Sequence, residues 1–200
     1  MIKKFIIGNI LKSIRNKHPE YTEIDLEKIE YGLTSLYLQI PKMIIIITVA
    51  YLIGMLSETI TFIFIHVFIK MNTFGMHANK SWVCLLVSLI IFIIMPWLAL
   101  NGKISIINKL IIGFIGIGLL VKNSPADTQK KPIINAKIRA KHNRLATITA
   151  VVFVIFSITI SNTFVANCFI LSLSIQSLMT SPVIYSFFKL PYNNHLNYSN

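Results

Sequence analysis

"WVCLLVSLIIFIIMPWLAL", residues 82–100, contains no charged side chain. A helix of this length rises about 28 Å at 1.5 Å per residue, close to the roughly 30 Å hydrocarbon core of a bilayer. The stretch therefore reads as a membrane-spanning helix and decides the class of the chain. Five further apolar runs surround it, at 40–56, 60–69, 104–121, 145–164 and 165–188. Full spans need about 20 apolar residues, with a range of roughly 17–25. The runs at 40–56 and 60–69 fall at or below that limit, and the second requires tilt or protein cover to cross.

Composition agrees. The 200 residues are 54% hydrophobic and 13% charged, whereas a soluble domain carries roughly 25% charge. The predicted fold class is all-α: a polytopic integral membrane protein with about six hydrophobic segments, preceded by amphipathic helices. The net charge of +12 follows from topology, because lysine and arginine crowd the cytoplasmic loops of membrane proteins. No basic stretch joins a nucleic-acid-binding motif, so no nucleic acid partner is expected. The loop 122–144 carries Lys122, Lys130, Lys131, Lys137, Arg139, Lys141 and Arg144 against one acid, Asp127. That places the loop in the cytoplasm, and with it both termini and the 70–80 connection.

Upstream, "MIKKFIIGNI" has lysines before apolar residues but no small-residue cleavage site, so it does not read as a signal peptide. Ile2, Phe5, Ile6, Ile10 and Ile14 share one helical face, which predicts a basic amphipathic helix on the inner leaflet. Pro19 ends it. Thr22 with Asp25 resembles a capping box, and Leu26, Ile29, Leu33, Leu36 and Ile40 form the stripe of a second amphipathic helix. Three regions follow: residues 1–39 at the inner membrane face, a membrane domain over 40–188, and a short polar tail over 189–200.

Chemistry concentrates in "FGMHANKSWVC", residues 74–84, at the start of the opening stretch. A thiolate is a nucleophile, and an imidazole can generate it. His77 and Cys84 are seven residues apart. On one continuous helix they would be separated by about 10.5 Å, beyond the roughly 3 Å reach of a general base. A catalytic pair therefore requires a non-helical connection, which Gly75, Asn79 and Ser81 permit. With Ser81 as N-cap, Cys84 falls in the first turn of a helix, where the positive end of the dipole favours a thiolate. Cys168, inside an apolar run, reads as a packing residue, and His66 as a hydrogen-bonded core histidine. Asp127 reads as a turn-forming residue of its loop rather than a catalytic one.

"GMHANKSWVC" and "SPADTQKKPI" together resemble the accessory gene regulator B (AgrB) family of membrane peptidases in Gram-positive quorum sensing. The resemblance covers nearly the whole chain. It implies a cysteine endopeptidase in which Cys84 attacks a peptide carbonyl with His77 as base. The substrate implied is a small AgrD-like propeptide, which loses its C-terminal tail and closes into a thiolactone or lactone ring. Lys70 stands where many members carry arginine, and Phe74 precedes Gly75 where many have paired glycines. Lys70, Gly75, Lys130 and Lys131 are the candidate substrate-binding positions. The expected setting is the lipid bilayer of the cell membrane, with the site on the cytoplasmic side and a homodimer as assembly. No metal site and no cofactor are expected. A small transporter or channel, or a non-catalytic membrane partner protein, is the alternative, suggested by the serine-flecked run after Cys168 and by His66.

Overall fold

A computed structural model describes residues 2–75, 81–128 and 132–198. The chain divides into two compact units, Met1–Val49 and Ala50–Asn200. In the first, α1 (Ile2–Lys17) exposes Phe5, Ile6 and Ile10 and stops before Pro19. Helix α2 (Glu23–Leu52) opens on the expected capping pair: the Asp25 amide donates to Thr22 Oγ1 at 3.3 Å, and the Thr22 amide to Asp25 Oδ2 at 3.3 Å. Arg15 pairs with Glu23 across the α1–α2 connection. The sequence separates an amphipathic helix from an apolar run near residue 40, but α2 continues through Pro41. A proline removes one helical hydrogen bond, which apolar helices of membrane proteins tolerate.

The second unit is a helical bundle. Helix α3 (Leu56–Thr73) buries Thr59, Phe62, Ile65, His66, Ile69 and Thr73, a one-sided stripe of three- and four-residue steps. It is longer than the apolar run at 60–69 because polar Ser57, Glu58, Thr59, Lys70, Asn72 and Thr73 join the helix. The opening stretch forms α4 (Ser81–Leu89), a π-helical segment (Ile90–Ile94) and α5 (Met95–Asn101). Pro96 lacks the N–H that would bond Phe92, and the wider turns immediately precede it. Helices α6 (Ile106–Asn123) and α7 (Ala136–Thr159) form an antiparallel hairpin. Then come α8 (Thr163–Met179), the short α9 (Pro182–Phe187) and a 3-10 turn (Asn194–Tyr198). Among the described residues four helical stretches are long and apolar enough to cross a membrane: Glu23–Leu52, Trp82–Asn101, Ile106–Asn123 and Ala136–Thr159. Each of the six apolar runs is mostly helical, and the protein is a polytopic all-α membrane protein.

Helix α8 lies at the centre, against α3, α5, α6 and α7. Its small and polar residues make this possible, since Ala166, Asn167, Cys168, Ser172, Gln176 and Ser177 are all buried. Helices approach closely in membranes through such small side chains. On α6 the buried positions Lys109, Gly113, Gly116, Leu120 and Asn123 repeat at four and three. A Cβ on Gly113 would stand 2.6 Å from Val154 Cγ2 of α7, and one on Gly116 3.1 Å from Leu173 Cγ of α8. Val154 is β-branched and has little rotamer freedom to move aside. Gly113→Ala is therefore expected to cost about 1–3 kcal/mol, read as a lower unfolding midpoint in detergent. Gly118→Ala, with open space around its Cβ position, serves as the control.

Candidate active site at one end of the bundle

Thr73 at the end of α3, Asn123 at the end of α6, Ala136 at the start of α7 and Met179 at the end of α8 mark the same end of the bundle. Gly75, one of the residues expected from sequence, lies there. Helix α3 stops because Phe74 takes φ 57° and Gly75 φ 120°. These two residues turn away from the helix axis toward the connection that bears His77. The Gly75 amide donates to the Ala126 carbonyl at 3.1 Å, and the Ala126 amide to the Thr73 carbonyl at 3.0 Å. Phe74 and Ala126 thus form an isolated parallel bridge. Gln176 of α8 secures it from below, its Nε2 donating to Thr73 Oγ1 and to the Phe74 carbonyl, both at 2.7 Å. The two sequence motifs, far apart in the chain, are stitched together by backbone hydrogen bonds.

The conformation of Gly75 demands glycine. A Cβ there would find ordinary contacts, 3.4 Å to Gln176 Nε2 and 3.5 Å to the Met179 carbonyl. The penalty is in the backbone, because φ of 120° is strained for any L side chain. Gly75→Ala is expected to cost about 1–2 kcal/mol of stability. Thermal unfolding of the variant beside the wild type checks this.

Asp127 is the hub of this end, with only 4% of its surface exposed. Its carboxylate accepts from the Ile133 amide at 3.4 Å, Arg139 Nη1 at 3.2 Å, the Asn194 amide at 3.1 Å and the His195 amide at 3.0 Å. His195 Nδ1 stands 3.2 Å from the same carboxylate. The Tyr185 hydroxyl donates to the Asp127 carbonyl at 3.0 Å. The loop role expected of Asp127 is therefore only part of what it does; it also holds the C-terminal segment. Asn143 closes the end of α6, its Nδ2 donating to the carbonyls of Val121 at 2.9 Å and Ser124 at 2.6 Å. Tyr192 donates to Asn123 Oδ1 at 3.2 Å, and burial holds its phenol above the ordinary range.

Of the site residues expected from sequence, Cys84 is the fourth residue of α4 and is half-buried. Lys70 is exposed on the last turn of α3. Gly75 is joined to the Ser124–Asp127 loop. His77, Lys130 and Lys131 lie outside the described residues. Exposed Lys122, Lys137, Lys141 and Arg144 form a basic rim on the ends of α6 and α7. Cys168 is fully buried. His66 is buried, with Nδ1 3.0 Å from Ser172 Oγ and its ring stacked on Phe62. Gln176, Asn143 and the C-terminal donors to Asp127 carried no local signal, since each acts on residues distant in sequence. Among the described residues no cluster of three or more His, Cys, Asp or Glu could hold a metal ion.

Known proteins match the chain along nearly its full length. It is 28% identical over 186 residues to an AgrB-like protein of Clostridium acetobutylicum, covering 92% of this chain and 88% of that one. An AgrB-like protein of Listeria monocytogenes is 27% identical over 173 residues, covering 86% and 84%. The accessory gene regulator protein B of Staphylococcus aureus is 27% identical over 139 residues, covering 70% and 74%. No solved structure matches. The family model described as Accessory gene regulator B matches residues 6–180, a stretch that contains both stitched motifs, and the chain belongs to that family.

Proposed function

We propose that this protein is a membrane cysteine endopeptidase that matures a small signalling propeptide. Membership of the family supports involvement in quorum-sensing regulation. The observation that carries the finer reading is the Phe74–Ala126 bridge. It sets the chain leading to His77 beside the SPAD loop, at the end of the bundle where the basic rim lies. Cys84 occupies the first turn of the helix that follows.

In this reading the Cys84 thiolate attacks the carbonyl carbon of the scissile bond, having given its proton to His77. The C–N bond breaks, and His77 returns that proton to the leaving amine of the C-terminal tail. The N-terminal part remains as a thioester on Cys84. A cysteine thiol or serine hydroxyl within the bound peptide then attacks the thioester carbonyl. Cys84 leaves as thiolate and is reprotonated, and the peptide closes into a thiolactone or lactone. Ring closure must outrun hydrolysis, so the site must hold the internal nucleophile close and exclude water. A membrane edge suits both needs. Lys70, Lys130 and Lys131, with the exposed lysines beside them, dock an acidic substrate tail and speed its arrival, an effect that weakens with salt. The site faces the cytoplasm and the protein resides in the cell membrane.

The test is reconstitution in liposomes with an AgrD-like propeptide, followed by mass spectrometry of both partners. Release of the tail together with an acyl adduct on the Cys84 peptide, removable by hydroxylamine, is expected. Tail release with no adduct at any time, or no release from a verified substrate, would overturn the reading and favour a transporter or scaffold.

A further inference from the structure

The C-terminal residues do not trail away from the bundle. Left-handed turns at Lys189 (φ 51°) and Asn193 (φ 54°) fold Leu190–Leu196 back onto the bundle end. The Leu190 amide donates to the Tyr185 carbonyl at 2.8 Å, the Tyr192 hydroxyl reaches Asn123, and the Asn194 and His195 amides reach Asp127. These residues lie beyond the stretch that the family model matches, which stops at residue 180.

The same carboxylate has two other attachments. Through Ile133 and Arg139 it closes the loop that bears Lys130 and Lys131. Through the chain it is the immediate neighbour of Ala126, whose amide and carbonyl form the bridge to Thr73 and Gly75. One buried group therefore joins the C-terminal segment, the lysine loop and the residues preceding His77. Two backbone amides and the His195 ring supplement the Arg139 guanidinium at Asp127. Without them the carboxylate would retain Arg139 and Ile133 but lose the donors that fix it from the side of α9.

We propose that Leu190–Leu196 is a positioning element for the active site, latched on Asp127 so as to hold the Ser124–Asp127 loop in its pairing with Phe74–Gly75. The proposal rests on the peptidase reading for its effect on turnover, but not for its effect on the bridge. A misplacement of about 1 Å in a reacting group can lower turnover by as much as about 100-fold, so a loosened bridge acts on kcat before it acts on binding.

The experiment uses the full-length protein in liposomes and three variants. Tyr192→Phe/His195→Phe removes two side-chain donors and keeps both rings. His195→Pro removes the amide that bonds Asp127. His195→Asn keeps a side-chain N–H near the place of Nδ1. Hydrogen exchange at the Gly75 and Ala126 amides, whose partners are the bridge carbonyls, is measured with the propeptide kcat and KM. The first two variants are expected to exchange both amides about tenfold faster and to lose about tenfold in kcat. KM should stay within twofold, and the buried stripe of α3 should exchange as in the wild type. His195→Asn, unlike the first two variants, is expected to keep both rate and protection within about twofold of the wild type. Unchanged exchange at Gly75 and Ala126 would overturn the proposal. So would acceleration shared equally by the α3 amides, which would mark general destabilisation. If the wild type itself cleaves nothing, the peptidase reading fails alone, and the exchange arm decides the latch.

Discussion

Cys84→Ala is expected to abolish propeptide cleavage and the covalent adduct while leaving insertion and folding intact. The replacement deletes one half-buried sulfur near the start of α4, where alanine is the better helix former, so little stability is at stake. On the proposed mechanism Cys168, the second of the two cysteines, cannot stand in for Cys84, since it is fully buried on α8. Loss of a residue from a working nucleophile–base unit costs up to about a million-fold in turnover in the best-measured hydrolase. A fall of at least about a thousand-fold is expected here on the same principle. On the proposed mechanism His77→Ala should lose nearly as much, and the double variant should be no worse than either single one, because residues acting as a unit are non-additive. Mass spectrometry of the released tail, with circular dichroism to show an unchanged helix content, checks this. Cleavage by Cys84→Ala within tenfold of the wild type would return Cys84 to a packing role.

The second large effect is on stability. Asp127→Ala removes an almost fully buried carboxylate and strands Arg139, whose side chain is only 21% exposed, together with the Asn194 and His195 amides. Removing one partner of a buried ion pair costs about 3–5 kcal/mol, a large fraction of the roughly 5–15 kcal/mol that holds a typical domain folded. Asp127→Asn should cost less, about 1–3 kcal/mol, because its oxygen still accepts while its amide faces donors. Denaturant unfolding in detergent reads both. A change below about 0.5 kcal/mol for Asp127→Ala, the size expected of a surface substitution, would show that water readily replaces the carboxylate.

Sequence reading recovers what repeats along a helix or depends on near neighbours. The apolar runs became helices because length and composition settle that question locally. Gly75 stood out as a place for the backbone to bend, and it takes a φ that other residues avoid. Thr22 and Asp25 announced a helix start and form it. What sequence does not carry is which distant groups satisfy one another. Asp127 looks like a loop residue because its donors come from Arg139, Asn194 and His195, two of them backbone amides with no side-chain signature. Gln176 looks like one more polar fleck in an apolar run until α8 sets it beneath Phe74. Pro41 signals a break that the surrounding helix overrides.

The placement of Gln176 has a consequence for the order in which the protein is made. Translation delivers the Phe74–Cys84 segment first, the Ser124–Asp127 loop later, and Gln176 later still. A nascent chain that already displays both His77 and Cys84 still lacks the amide that holds Thr73 and Phe74 in place. The bridge is therefore complete only when α8 has inserted beside α3. Until α8 has been made, the growing polypeptide carries both paired segments without the side chain that supports their pairing.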